Sequence, residues 1–293
     1  MAEPLFDEGF LKKIELLYLV SKKIFAGNLQ ATRRAKKLGA GIEVRDFRSY
    51  TAGDDLRHID WNYYASTREL LVRLFEEEED LHIYFLVDMS PSMAVGDGAK
   101  LRYAKQVAAA LSYIGLANLD RVSVVPFGGD VIDTLPASRG RSQIWKVFRF
   151  LERERPTDKT DIARALKSFV SRTRRRGLAV LISDFYDHQG FVEAINLLRF
   201  HRFEPLVFQI YDEDDLHPNL KGDIEVVDCE TNEIVRVTVT PRLLKRYVDA
   251  QHELMEELAT FCRQKNLLHF RAPVQQPFDE LVLRVFRAGG FLR

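Results

Sequence analysis

The sequence predicts an α/β fold: a doubly wound, mostly parallel sheet with helices on both faces. Three segments, 82–87, 178–182 and 205–211, are apolar almost throughout, which is typical of strands buried on both faces of a sheet. The segments between them, such as 101–116 and 191–200, carry apolar residues at the spacing of an amphipathic helix. Alternation of such strands and helices predicts parallel pairing, and ligands of parallel sheets bind at the carboxyl ends of the strands.

The amino-acid composition limits the classes of protein to which this chain can belong. With 293 residues, 46% of them hydrophobic, the chain can form one large or two modest domains. Its 43 basic and 43 acidic residues cancel, so no basic field predicts a nucleic-acid partner. The apolar run 16–20 is much shorter than the roughly 20 residues that span a bilayer, and the acidic start, with Glu3 and Asp7, is unlike a signal peptide. We therefore expect a cytoplasmic protein without direct membrane insertion, in which Cys229 and Cys262 are buried, reduced thiols.

Residues 1–80 are predicted to form an N-terminal helix and a small antiparallel β lobe. Apolar residues recur at helical spacing over 6–25, and Gly27 and Asn28 end that pattern. Three segments then alternate as half-buried strands do: 42–50, 59–65 and 70–75.

Residues 81–293 are predicted to form the main α/β domain, with an insert at about 215–265. The other elements of this domain are strands at 121–127, 131–135 and 267–270 and helices at 144–151, 161–170 and 278–286. The insert is predicted as a hairpin of 223–228 and 234–240. A long helix follows that Pro241 begins, because the missing N–H of proline is harmless at the first helical position.

Asp88, Ser90 and Ser92 follow the predicted strand 82–87 at intervals of two residues. On one tight loop their oxygens can converge on a hard divalent cation such as Mg²⁺, with Mn²⁺ or Ca²⁺ as alternatives. Hydroxyls add little negative charge, so a bound cation would still attract a carboxylate of a partner, which favours adhesion over catalysis. The simpler interpretation is a plain turn whose side chains bond backbone amides.

Two further oxygen-bearing residues, Thr160 and Asp184, fall at the same predicted edge of the sheet. Thr160 precedes a predicted helix and Asp184 follows a predicted strand. Each has a simpler interpretation, as a helix N-cap and as an Asx-turn respectively. Thr157 competes for the role of Thr160, and Lys159 is expected to weaken cation binding by repulsion.

Together these residues resemble the metal-ion-dependent adhesion site of von Willebrand factor A-type domains, which has Asp-x-Ser-x-Ser on the first loop, Thr on the second and Asp on the third. The matching residues are Asp88, Ser90, Ser92, Thr160 and Asp184. The resemblance implies a von Willebrand factor A-like domain. It also implies that Ser90 and Ser92 bind the metal directly, with Thr160 as a further candidate. Asp88 and Asp184 would act mainly through coordinated waters.

A narrower resemblance covers nearly the whole chain. The segments 41–50, 53–61 and 71–76 resemble the lead-in of the bacterial family called "domain of unknown function 58", and 228–231 resembles its hairpin insert. Members of that family are similar to products encoded beside MoxR-type AAA+ ATPases, which are thought to remodel or chaperone other proteins. The resemblance therefore implies a MoxR-type AAA+ ATPase, or its client, as the protein partner.

The lead-in also contains a possible second metal site. Its candidate ligands are Asp54, Asp55, His58 and Asp60. Because the group includes a single nitrogen ligand, a structural network is favoured instead, in which Arg57 pairs with an acid and Trp61 packs in the core.

The function predicted is that of a non-enzymatic interaction module. Gly-x-x-x-x-Gly-Lys-Ser/Thr is absent, so the chain is not itself a P-loop ATPase. The alternatives are a metal-assisted phosphoester or peptide hydrolase and a metal-free scaffold. A hydrolase needs a general base near Asp88, and His82 and His188 are the nearest histidines by chain position.

Overall fold

A computed structural model describes residues 5–28, 38–39, 43–76, 81–157, 159–187, 190–231 and 233–289, with the backbone alone described for 23–28, 38–39, 43–46 and 73–76. The chain divides into two compact units, one of residues 1–24 with 81–292 and the other of residues 25–80 with 293. The predicted boundary after residue 80 coincides with a boundary between these units.

The N-terminal helix α1 (Glu8–Asn28) begins in the larger unit. Its residues Phe10, Ile14 and Leu17 are buried, and the ring of Phe10 lies 4.8 Å from that of Phe278. This apolar face explains why residues 1–24 belong to the larger unit, whereas the sequence prediction grouped the helix with the small lobe.

The smaller unit contains a three-stranded antiparallel sheet in the order β1-β3-β2. Its strands are β1 (Leu38–Gly39), β2 (Glu43–Ser49) and β3 (Leu71–Glu76). The first and third predicted strands of the lobe, 42–50 and 70–75, agree with β2 and β3.

The predicted strand 59–65 is wrong. A 3₁₀ turn (Leu56–His58) and the helix α2 (Trp61–Thr67) occupy that part of the chain. The Asp60 carboxylate accepts hydrogen bonds from the first free N–H groups of the helix, including that of Asn62 at 3.0 Å, and so caps it. Trp61 is 56% exposed and therefore not part of a core, contrary to the prediction.

The larger unit contains a six-stranded sheet, a separate hairpin and the remaining helices. The strands are β4 (His82–Asp88), β5 (Arg121–Phe127), β6 (Leu135–Ser138), β7 (Leu178–Ser183), β8 (Glu204–Tyr211), β9 (Gly222–Val227), β10 (Ile234–Val239) and β11 (Leu268–Pro273). The helices are α3 (Pro91–Ala94), α4 (Ala99–Ala117), α5 (Ile144–Arg153), α6 (Ile162–Arg172), α7 (Gly190–Phe200), α8 (Glu213–Leu216), α9 (Pro241–Gln264) and α10 (Phe278–Arg287).

The large sheet is parallel except at one edge, as the sequence predicts. Its strand order is β11-β8-β7-β4-β5-β6, and only β6 pairs antiparallel with its neighbour. The predicted strand 131–135 is shifted to Leu135–Ser138, because the chain first has to reverse direction after β5. The reversal is closed by the Gly128 N–H, which donates to the carbonyl of Asp130 at 3.0 Å.

Helices cover both faces of this sheet. Tyr84 and Leu86 of β4 belong to a buried cluster with residues of α6, α7 and α9. The residues of β4 that alternate with these two point to the other face of the sheet, where Ile83 lies against Gly115 of α4. Every residue of β4 after His82 is buried, which explains its continuous apolar sequence.

The predicted hairpin insert is confirmed. β9 and β10 pair antiparallel as a two-stranded sheet, and the Thr240 hydroxyl then caps α9 by accepting from the N–H of Leu243 at 3.2 Å. Cys262 of α9 is buried as expected, but Cys229 at the tip of the hairpin is exposed, because the hairpin is covered on neither face.

Candidate functional site

The site is built where β4 and β7 end side by side. Asp88 is the last residue of β4, and Asp184 follows the last residue of β7. Because the two strands are parallel neighbours, their carboxyl ends meet at the same edge of the sheet. Asp88 is completely buried and Asp184 nearly so, which is rare for carboxylates without a compensating partner.

Neutral donors orient the Asp88 carboxylate. Its Oδ1 accepts the N–H of Ser90 at 2.8 Å, and its Oδ2 accepts the hydroxyl of Ser183 at 2.5 Å. The loop itself is fixed to the neighbouring strand, because the Met89 N–H donates to the carbonyl of Phe127 at 2.7 Å. Ser183 is a site residue that the sequence analysis missed, although it directly precedes Asp184.

The two serine hydroxyls lie together in front of these carboxylates. Ser90 Oγ and Ser92 Oγ are 3.0 Å apart and share a hydrogen bond. Adjacent ligands of an octahedral Mg²⁺ with bonds of about 2.1 Å are themselves separated by about 3.0 Å, so this pair has the spacing of two metal ligands. Pro91 begins α3 between them, and its fixed φ suits the first position of a helix.

Asp184 joins the same group. Burial raises the pKa of its carboxyl, and interactions with Lys100 and with the Ser92 side chain oppose that effect. The Tyr186 N–H donates to its Oδ1 at 3.4 Å. The chain turns sharply after it, with Phe185 in the left-handed region at φ 58° and its N–H donating to Ser183 Oγ at 2.9 Å. The structure thus brings Asp88, Ser90, Ser92 and Asp184 into one connected cluster.

The second loop is attached to the first through Thr157. Its N–H donates to the carbonyl of Met89 at 2.8 Å, and its hydroxyl is 3.1 Å from both that carbonyl and the carbonyl of Lys159. Thr157 is therefore engaged in holding the two loops together.

Thr160 is half-buried at the same edge, and its hydroxyl donates to the carboxylate of Glu230. It is not the N-cap of α6, because Asp161 has that role and accepts the N–H of Arg164 at 2.8 Å. The hydrogen bond of Thr160 is thus to the hairpin, whereas the other four predicted ligands contact one another.

Burial destabilises the ionised form of both carboxylates. Burial, followed by repulsion from Asp184, raises the pKa of Asp88 to about 7, against the opposing hydrogen bonds from Ser183 and Ser90. Burial also raises the pKa of Asp184, and Lys100 partly offsets that effect. Two buried acids beside two hydroxyls are a donor set that fits a hard divalent cation, because such a cation would remove the repulsion.

One internal cation already lies in the cluster. Lys100 of α4 is 4% exposed, and its Nζ lies 3.2 Å from Asp184 Oδ2 and 3.1 Å from Asp215 Oδ2. Burial alone would lower the pKa of Lys100, but attraction by the two carboxylates raises it, so the ammonium stays charged. Sequence reasoning named Lys159 as the interfering charge. Lys159 is exposed, and the buried charge is that of Lys100.

Clusters of three or more His, Cys, Asp or Glu side chains placed to hold a metal do not occur among the described residues. The predicted second site in the lead-in is instead a network, as favoured: Arg48 binds Asp54 at 2.6 Å and Arg57 binds Asp55 at 2.6 Å. The strand-end cluster is of a different kind, since two carboxylates are combined there with serine hydroxyls.

The stability of the metal-free protein is expected to fall as the pH rises from about 4 to about 7. The folded protein keeps a proton on Asp88 up to about pH 7, whereas an ordinary Asp loses it near 3.8. Between these values the folded state binds more protons, so each pH unit lowers the free energy of unfolding by about 1.4 kcal/mol per proton. Denaturant titrations in EDTA measure this slope. Asp88→Asn should lack that contribution, and equal slopes in both proteins would contradict the assignment.

The fold and this cluster define a class: α/β proteins with an oxygen-rich group at the carboxyl edge of a mostly parallel sheet. The family described as "Protein of unknown function DUF58" matches residues 46–257, and the chain belongs to that family. Uncharacterized proteins of Mycobacterium tuberculosis and Mycobacterium bovis are 27% identical to it over 242 residues, which cover 81% of this chain and 76% of theirs.

Solved structures with partial likeness include a conserved hypothetical protein, BatB, from Bacteroides thetaiotaomicron. It has a TM-score of 0.45 and 15% identity, over 72% of this chain and 98% of that one. An aerotolerance-related membrane protein from Bacteroides fragilis has a TM-score of 0.45 and 18% identity, over 71% of this chain and 97% of that one. Likenesses at this level say nothing about the site. Over the described ranges of the present chain, every helix is too short or too polar to cross a membrane.

Proposed function

We propose that this protein is a non-enzymatic, metal-ion-dependent protein-interaction module with a von Willebrand factor A-like core. The observation that carries the proposal is the pair of serine hydroxyls, Ser90 and Ser92, 3.0 Å apart beside two buried carboxylates. Ser90, Ser92 and Thr160 would hold Mg²⁺, with Mn²⁺ or Ca²⁺ as alternatives, and Asp88 and Asp184 would balance its charge through coordinated waters. When bound, the cation supplies an electrophilic position for a carboxylate oxygen of a partner protein.

The chemistry of the donors favours binding over hydrolysis. Asp88 is completely buried and is held by the N–H of Ser90 and the hydroxyl of Ser183, so its carboxylate is not exposed to a substrate. His82 begins β4 at the opposite end of the strand, about 20 Å from Asp88 at about 3.3 Å per residue. It therefore cannot act as a base at this edge, and His188 lies outside the described residues. A metal-assisted hydrolase remains the second candidate function, and a metal-free scaffold is the third.

The partner proposed is a MoxR-type AAA+ ATPase or its client, with the complex acting in protein remodelling or maturation in the cytoplasm. This part of the proposal is supported by the family to which the chain belongs and by the resemblance of its lead-in and hairpin. The balanced charge of 43 acidic and 43 basic residues is consistent with a protein partner and gives no support to nucleic acid.

Capture of a purified MoxR-type ATPase, encoded in the same genome, is expected to require Mg²⁺ and Ser92. Immobilised wild-type protein should retain the ATPase in Mg²⁺ and release it in EDTA, and Ser92→Ala should retain it at least about tenfold less, because one direct ligand is lost. Ser171→Ala is the matched control, since Ser171 is exposed and its hydroxyl donates to the Ser168 carbonyl on α6. Equal retention by wild type and Ser92→Ala would contradict the proposal.

A further inference from the structure

The tip of the β9–β10 hairpin presents a carboxylate to the candidate metal site. The Thr160 hydroxyl donates to Glu230, which is 70 residues away in the chain. The hairpin therefore places an acid at the edge where a partner's acid would have to bind.

Hydrogen bonds hold the turn that carries Glu230 in a defined conformation. The Asp228 carboxylate accepts the N–H of Glu230 at 2.7 Å and that of Thr231 at 3.0 Å. The Asp228 N–H in turn donates to the carbonyl of Glu233 at 2.9 Å. These bonds fix the backbone on both sides of Glu230, so that its side chain is directed by the turn and not by free rotation of the chain.

We propose that Glu230 is an internal ligand of the metal site and competes with the carboxylate of the partner. The inference rests on the proposed function and adds its regulation. Thr160 can offer a lone pair to a cation while its hydroxyl proton remains hydrogen-bonded to Glu230, so the two residues are compatible with a bound metal. One coordination position holds a single oxygen, so the partner's carboxylate cannot enter while Glu230 occupies that position. Partner binding thus requires that the hairpin tip leave Thr160.

The hairpin is suited to such a movement. It has only two strands, and a two-stranded sheet is marginally stable by itself. Its side chains are largely exposed, including Val227 and its cross-strand partner Ile234. A tethered carboxylate has an effective concentration in the millimolar range, so it would exclude weak, adventitious acids while a partner with further contacts could displace it.

Titration calorimetry with Mn²⁺, in the presence and absence of acetate, tests the inference. Glu230→Gln should bind Mn²⁺ about tenfold more weakly than wild type because it lacks a charged ligand, and added acetate should restore most of that loss. Wild type should gain little from acetate, because Glu230 occupies the position. Glu233→Gln, an exposed acid in the same turn, is the matched control and should behave as wild type.

The possible failures are distinguishable. If wild type binds Mn²⁺ and Glu230→Gln binds it equally well, or if acetate strengthens binding equally in both proteins, the internal ligand is refuted and the metal site stands. If wild type binds no Mn²⁺, the proposed function fails, and the internal ligand fails with it. Glutamine is isosteric with glutamate and the turn is exposed, so a failure to fold is not expected to obscure the comparison.

Discussion

Lys100→Met is expected to destabilise the metal-free protein by about 3–5 kcal/mol and to increase its affinity for Mg²⁺ by about tenfold or more. The ammonium of Lys100 lies 3.2 Å from Asp184 and 3.1 Å from Asp215, and the first of these carboxylates is buried. Without Lys100, Asp184 either keeps a buried charge with no cation to balance it or takes up a proton, and both cost stability. The same change removes a positive charge that repels a metal ion bound to the neighbouring oxygens.

The measurements are denaturant titrations in EDTA and in saturating Mg²⁺, together with calorimetric titration of Mg²⁺. Saturating Mg²⁺ should recover most of the stability lost in Lys100→Met, because the metal replaces the missing charge. Lys105→Met is the matched control. Lys105 is a second buried lysine of α4, but its Nζ donates to the carbonyl of Glu154, so its removal should leave Mg²⁺ affinity unchanged. Unaltered Mg²⁺ affinity in Lys100→Met would refute the placement of the metal beside Lys100.

Asp88→Asn is expected to have opposite effects on metal binding and on stability. Mg²⁺ affinity should fall by about 10–100-fold, because the buried charge that balances the cation is removed. In EDTA above pH 7, the same variant should be more stable than wild type by up to about 4 kcal/mol, because Asp88 has a pKa of about 7 and is then ionised while buried beside Asp184.

Thermal unfolding with and without Mg²⁺ separates these effects. Mg²⁺ should raise the unfolding temperature of wild type. Asp88→Asn should unfold at a higher temperature than wild type in the absence of Mg²⁺, and adding Mg²⁺ should raise that temperature very little. Asp133→Asn is a suitable control, since Asp133 is an exposed acid that pairs with Arg153 at 2.6 Å. A stabilisation of Asp88→Asn by Mg²⁺ equal to that of wild type would contradict the role of Asp88.

The parallel sheet and its two strand-end acids were predictable because both depend on local sequence. A strand buried on both faces has to be apolar throughout, and Asp88 and Asp184 interrupt two such runs where they end. Helix α2 was mistaken for a strand because its apolar residues alternate, and the deciding signal was the capping carboxylate of Asp60. A helix of seven residues has only about two turns, so the helical spacing of its apolar residues is too short to be distinguished from strand-like alternation.

Lys100, Asp215 and Glu230 were missed because their roles depend on contacts between distant parts of the chain. Lys100 and Asp184 are separated by 84 residues, and Thr160 and Glu230 by 70. The one local signal was a lysine in the first turn of α4, a helix whose following residues are almost all buried. No spacing rule indicates which loop an isolated surface acid such as Glu230 will reach.

The central claim, that the strand-end cluster binds a divalent cation, is tested most directly by a crystal soaked in Mn²⁺. Anomalous scattering should show one ion with Ser90 Oγ and Ser92 Oγ as ligands, at about 2.1–2.3 Å, in a shell composed of oxygen atoms. Diffraction from a crystal of Ser92→Ala soaked in the same way should show the peak weakened or absent. A well-ordered wild-type site with no anomalous density between Ser90, Ser92 and Asp184 at saturating Mn²⁺ would contradict the account.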